Sequence, residues 1–173
     1  MNFKSILSVT GQFLLLVTIQ ILFLKNLALF GVAYCFIYVL GILLLPISIR
    51  PIPLLIISFL VGLTVDVFYD TLGMHASAVT FLAFIRSFWL KAVSPSGGYD
   101  DNDRPDLKSQ SFGWFLSYAF PLIFLFSLVF FTIDFWGSGN WLNVLNKSFF
   151  SSIFTLVLAI IVQLLFFKRR RVI

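Results

Sequence analysis

The stretch Ser58 to His75, SFLVGLTVDVFYDTLGMH, sets a carboxylate, Asp66, inside a run otherwise apolar enough to sit in lipid. On a helix, Ser58, Gly62, Asp66 and Asp70 recur every fourth residue and stack as one small, polar face. Phe59, Leu60, Leu63 and Val67 spread over the remainder. A carboxylate at the centre of a membrane helix costs roughly 2.5 to 3.5 kcal/mol on insertion scales, so it normally faces a bundle or cavity and takes a partner. The stretch predicts an internal packing face in a membrane protein.

Composition agrees. The 173 residues are 60% hydrophobic and 11% charged, with a mean hydropathy of +1.04, and the excess falls in long blocks. The net charge of +5 does not point to nucleic acid, because the basic residues cluster at segment ends, where they answer to membrane topology. Glutamate is absent, and four of the seven aspartates sit in one loop. Cys35 is the single cysteine, which excludes an internal disulfide and a cysteine metal cluster.

Working outward, apolar runs predict an all-α membrane protein forming one domain, 1–173, with six transmembrane helices near 6–24, 28–45, 52–69, 76–93, 112–133 and 148–167. The first run has no small-x-small cleavage site after it and reads as an uncleaved helix, with Gln12 and Gln20 facing neighbours. The turn to the second is very short, which leaves part of 25–33 irregular or interfacial. ISIRPIP, 47–53, is a tight loop, and Leu72-Gly73 turns the chain into the fourth helix, with Gly73 at positive φ. The fourth helix carries Arg86 and a small-residue stripe, Ala76, Thr80, Ala83 and Ser87. Residues 94–111, SPSGGYDDNDRPDLKSQS, read as a solvated, mobile cytoplasmic loop. Pro121 kinks the fifth helix, and 134–147 form a polar turn with Trp136 and Trp141 at the interface.

An even number of spans puts both termini on one side. With that side cytoplasmic, the inside holds Lys4, Arg50, Lys91, Arg104, Lys108 and Lys168 to Arg171, nine in all, against Lys25 and Lys147 outside. The corner from Asp66 to His75 then faces outward. At about 1.5 Å per residue, Asp66 lies about 6 Å and Arg86 about 15 Å below that corner, a difference that disfavours a direct salt bridge. Arg86 is expected to snorkel toward the cytoplasmic face, and Asp66 to find His75 or a first-helix glutamine.

Enzymatic chemistry lacks its parts. His75 is the one histidine, so a metal site or histidine-based acid has no second imidazole. Tyr69-Asp70 resembles the first motif of intramembrane aspartyl proteases, but no GxGD segment follows; Gly137-Ser138-Gly139 lacks the rest of an intramembrane serine protease motif. DDNDRPD lacks the sixth-place glycine and closing glutamate of a calcium loop. The expectation is no enzyme, no cofactor and no metal. The basic end at Lys168 to Arg171 reads as a topology anchor that attracts anionic membrane lipid.

The run Phe59 to Lys91 resembles the signature region of the MreD family of bacterial rod shape-determining membrane proteins. It has a glycine four residues before an intramembrane aspartate, a Leu-Gly turn, a small residue and a helix with a basic end. Here these are Gly62, Asp66, Leu72, Gly73, Ala76 and Arg86 to Lys91; Gln20 and Leu44 to Pro46 are also similar to the family. The resemblance covers 1 to about 93 and rests on hydropathy and length beyond; Ala33-Tyr34 departs from a proline that opens the second helix in many members. It implies a multi-pass protein of the bacterial inner membrane, a non-enzymatic part of the cell-elongation machinery that regulates cell shape. Its implied partners are MreC, through a membrane helix, and indirectly the MreB filament and the enzymes of peptidoglycan synthesis. It also implies a fold resembling the substrate-binding subunits of energy-coupling-factor transporters, which defines the alternative, a vitamin-binding subunit. Such a subunit needs convergent polar groups in an outward pocket, for which the outer ends offer Asp66, Asp70, His75, Asn140, Trp141 and Asn143. The expected site is one of helix packing and partner binding: Gln20, Ser58, Gly62, Asp66, Asp70, Gly73, His75 and Arg86.

Overall fold

Pro51 and Pro53 open the helix that carries Asp66, where their fixed φ suits the first turn and their missing amides leave nothing unpaired. That helix, α3 once the chain is numbered, belongs to a computed structural model that describes residues 3–25, 27–95, 97–99 and 103–166. The described chain is mostly helical. α1 (Phe3–Ile19) continues into a π-helical turn, Gln20–Leu24; β1 (Ala28–Leu29) and β2 (Ala33–Tyr34) form a small antiparallel hairpin; α2 is Val39–Leu43. Then follow α3 (Pro51–Tyr69), α4 (Met74–Ala92), α5 (Phe112–Asp134) and α6 (Trp141–Phe166). Three segments are long and apolar enough to cross a membrane: Pro51–Tyr69, Phe112–Asp134 and Trp141–Leu165. Expectations for Asp100 to Asn102 and for Lys168 to Arg171 lie outside the described residues.

From α3 onward, each helix packs on the next in sequence. Ser111 caps α5 by accepting the amide of Trp114 at 3.3 Å, and Pro121 lies inside that helix. The buried residues of α5 include Phe115, Tyr118, Ala119, Leu122, Phe126 and Phe130, a stripe of helical period that faces the core. α6 begins at Trp141, seven residues before the expected start, so the second half of the predicted polar turn is its first two turns.

The predicted helix over 28–45 is not formed. Phe30 and Gly31, both at positive φ, reverse the chain between β1 and β2; residues 35 and 36 are irregular, and helix exists over Val39–Leu43 alone. Tyr38, Val39, Ile42 and Leu43 are completely buried, so this segment threads the middle of the bundle. Non-helical backbone is tolerated there because other elements satisfy it. The amides of Tyr34 and Phe36 donate to Ser151 Oγ and Thr155 Oγ1 of α6 at 2.9 and 3.0 Å, and the Cys35 carbonyl accepts from Gln20 Nε2 at 2.9 Å. An apolar run buried on all sides carries no periodicity, so its sequence did not separate a helix from a threaded strand.

The 94–111 loop also departs from a solvated reading in its described part. Asp106 is buried, its carboxylate accepting the amides of Lys108 and Ser109 at 3.0 and 2.7 Å, and the amide of Leu107 donates to Gln163 Oε1 on α6 at 3.0 Å.

Candidate functional site

α3 buries Leu54, Ser58, Gly62, Val65 and Asp66, which puts Ser58, Gly62 and Asp66 of the stripe on its buried face. Ser58 Oγ donates to the Leu54 carbonyl at 2.8 Å, one turn back in its own helix. Gly62 is the point of closest approach. A Cβ there would meet the Ala76 Cα, would lie 2.7 Å from the Ala76 amide nitrogen, and would press on Val79 at 2.8 Å. One turn further on stands Asp66.

The Asp66 carboxylate is buried at the open end of α4. Oδ1 accepts the Thr71 hydroxyl at 2.5 Å and the His75 amide at 3.0 Å, and Oδ2 accepts the Ala76 amide at 2.8 Å. The first amides of a helix have no partner within it, and α4 starts from Gly73, at φ 82°, which has no side chain to cap them. Asp66 supplies the cap from the preceding helix. The positive end of the α4 dipole in turn favours the carboxylate.

Asp70 does something different. Its φ of 55° ends α3 in the left-handed conformation, and its side chain is exposed, so Asp66 and Asp70 do not form a carboxylate pair.

Gln20 and His75 fasten this corner to the rest of the bundle. Gln20 is wholly buried; beyond its bond to Cys35, its Nε2 donates to the Tyr69 hydroxyl at 2.6 Å, and that hydroxyl donates to the Gln20 carbonyl at 3.1 Å. The His75 ring is fully buried, with Nδ1 3.0 Å from the Tyr38 hydroxyl and the rings of Phe130, Tyr69, Tyr38 and Phe36 around it. Asp66 therefore meets the backbone of His75 and neither its imidazole nor a first-helix glutamine.

Arg86 lies at the other end of α4 and, against expectation, does not snorkel. It is 1% exposed, and its guanidinium turns inward: Nε donates to the Tyr118 hydroxyl at 2.8 Å, and Nη2 to the carbonyls of Leu45 at 2.5 Å and Leu43 at 3.4 Å. Tyr118 in turn donates to the Leu43 carbonyl at 2.9 Å. These carbonyls end α2, where a cation complements the helix dipole. Asp66 and Arg86 do not touch. Each buried charge is held at a helix end by backbone groups.

No family model, curated protein or solved structure matches the chain. The geometry therefore stands by itself. It describes Asp66 and Arg86 committed to packing, and a shallow groove outside the Asp66 corner lined by Leu63, Asp66, Val67, Asp70, Thr71, Leu72 and Gly73. Val67 is 73% exposed on this rim, and Leu72 is fully exposed. Among the described residues, no group of three or more histidine, cysteine or acidic side chains is placed to hold a metal.

Sequence reasoning did not find Thr71, Tyr38, Tyr69 or Tyr118. Each is a hydroxyl whose partner, a carboxylate, a ring nitrogen or a carbonyl, is brought to it by the fold. Gly73 at the head of α4 was the one signal that an acceptor had to come from elsewhere.

Proposed function

We propose that this protein is a non-enzymatic scaffold of the bacterial inner membrane, a component of the cell-elongation machinery that binds the membrane helix of MreC and supports MreB-linked peptidoglycan synthesis. The topology in this reading has six spans with both termini cytoplasmic. The observation that carries it is the use made of Asp66. Both of its oxygens are occupied in joining α3 to α4, so the residue central to the family resemblance serves a rigid helix corner. Beside that corner runs an exposed apolar ridge, Leu63, Val67 and Leu72, suited to a partner's single helix.

The vitamin-binding alternative requires polar groups that converge, and the candidate groups separate. Asn140 and Trp141 line a cavity of about 320 Å³ between α5 and α6, Asp66 and Asp70 line the groove at the α3–α4 corner, and His75 is enclosed by aromatic rings. This favours partner binding.

The test is a detergent pull-down of the tagged protein from native bacterial membranes, with mass spectrometry of co-purifying proteins and small molecules. Recovery of MreC and wall-synthesis proteins without a stoichiometric small ligand is expected. A bound vitamin-like molecule with a transporter ATPase module would overturn the scaffold reading.

A further inference from the structure

At the end of the bundle opposite the Asp66 corner, a cavity of about 490 Å³ is lined by Ile47, Ile49, Pro51, Arg86, Ser87, Leu90, Lys91, Ser94 and Tyr99. Its floor is unusual. Arg86 is 99% buried, yet its hydrogen bonds use Nε and Nη2, leaving Nη1 without a partner among the described residues on a side chain that lines the cavity. A guanidinium with a free donor in a recess calls for an acceptor, and a phosphate oxygen suits it best.

The rim adds to this field. Lys91 lies five residues along α4, about 7.5 Å nearer the helix end, and is exposed. Arg50, also exposed, stands in sequence between the lining residues Ile49 and Pro51. Ser87 and Ser94 bring hydroxyls, while the Tyr99 hydroxyl is directed to the Leu90 carbonyl at 2.9 Å. Among the described residues that line the cavity, none is acidic. The other part of the lining, Ile47, Ile49, Pro51 and Leu90, is apolar, and Pro51 begins α3, a segment long and apolar enough to cross a membrane. A free phosphate ion has no use for such a wall. A phospholipid has both parts.

We propose that this cavity binds the phosphate headgroup of an anionic membrane phospholipid, with Arg86 Nη1 and Lys91 as its cationic ligands and the apolar wall receiving the first acyl carbons. This does not depend on which machinery the protein serves, so the fate of the MreC pull-down leaves it untouched.

The test is native mass spectrometry of the delipidated full chain in detergent, titrated with dioleoyl phosphatidylglycerol and with dioleoyl phosphatidylcholine, each with and without inorganic phosphate as competitor. Phosphatidylglycerol is expected to bind at least about tenfold more tightly, in a one-to-one complex that Lys91→Gln weakens about fivefold. Lys25→Gln, which removes the same charge at the opposite end of the bundle, is expected to leave that affinity unchanged. Ser87→Phe, at a half-buried position lining the cavity, fills the recess and is expected to abolish the complex while thermal unfolding still reports a folded protein. Equal affinity for the two lipids, or equal effects of the Lys91 and Lys25 variants, would overturn the site. Complete displacement of the lipid by millimolar inorganic phosphate would overturn its assignment to lipid in favour of a free anion.

Discussion

Asp66 Oδ2 accepts the amide proton of Ala76 at 2.8 Å, so a carboxylate in one helix closes the open end of the next. The first prediction concerns this cap. Asp66→Ala leaves the amides of His75 and Ala76 unpaired in the bundle and should lower stability by about 3 kcal/mol, with Asp66→Asn losing about half as much because one acceptor oxygen remains. Thermal unfolding in nanodiscs, followed by tryptophan fluorescence, measures both. An Asp66→Ala protein as stable as the parent would show that the cap contributes nothing.

Gly62→Ala should also be damaging, for a steric reason. The new methyl would overlap the backbone of Ala76 and push α3 from α4, at a cost of about 2 kcal/mol. Gly11→Ala provides the contrast: nothing lies within 4 Å of its added methyl, so it should gain up to about 1 kcal/mol of helix propensity. Equal unfolding temperatures for the two variants would contradict this.

The left-handed conformation of Asp70 gives a stabilising substitution. Asp70→Gly removes a strained backbone from an exposed position and should raise stability by about 1 kcal/mol, whereas Asp70→Val should lower it. If the two changed stability in the same direction, backbone strain at 70 would not be the cause.

At the other charge, removing one partner uncovers the rest. Arg86→Met should cost about 3 to 5 kcal/mol by stripping the end of α2, and Tyr118→Phe about 1 to 2. The pair should be coupled, with the double variant losing at least about 0.5 kcal/mol less than the sum. Strict additivity in a double-mutant cycle would show that the two do not act together.

Ser151→Ala and Thr155→Val each orphan one amide of the threaded segment and should cost about 1 to 3 kcal/mol. Hydrogen exchange is the sharper measurement, since protection should fall first at Tyr34 and Phe36. Unchanged exchange there would mean that these side chains are not the acceptors.

The parts of the chain legible as sequence were those with a period or a punctuation mark. The helices expected at 52–69 and 76–93, found at 51–69 and 74–92, were legible because a small stripe and a Leu-Gly turn interrupt apolar runs. The partners of Asp66 and Arg86 were not legible, because both charges bind backbone at helix ends, and such ends exist only once the fold has set them. The irregular course of 28–38 was hidden for a related reason: the groups that satisfy it, Ser151 and Thr155, lie on another helix. Their four-residue spacing on a single face of an apolar helix was the available signal. The docking of 103–111 was masked by its composition, since a buried Asp106 bonded to its own loop looks, in sequence, like any solvated aspartate.

The threaded segment also orders events during synthesis. The amide of Tyr34 finds its acceptor 117 residues later and that of Phe36 119 residues later. At about 5 to 20 residues per second, the ribosome takes roughly 6 to 24 s to deliver them. Through that interval the amides of Tyr34 and Phe36 lack their acceptors, so the threaded segment takes its final course only once α6 has been made.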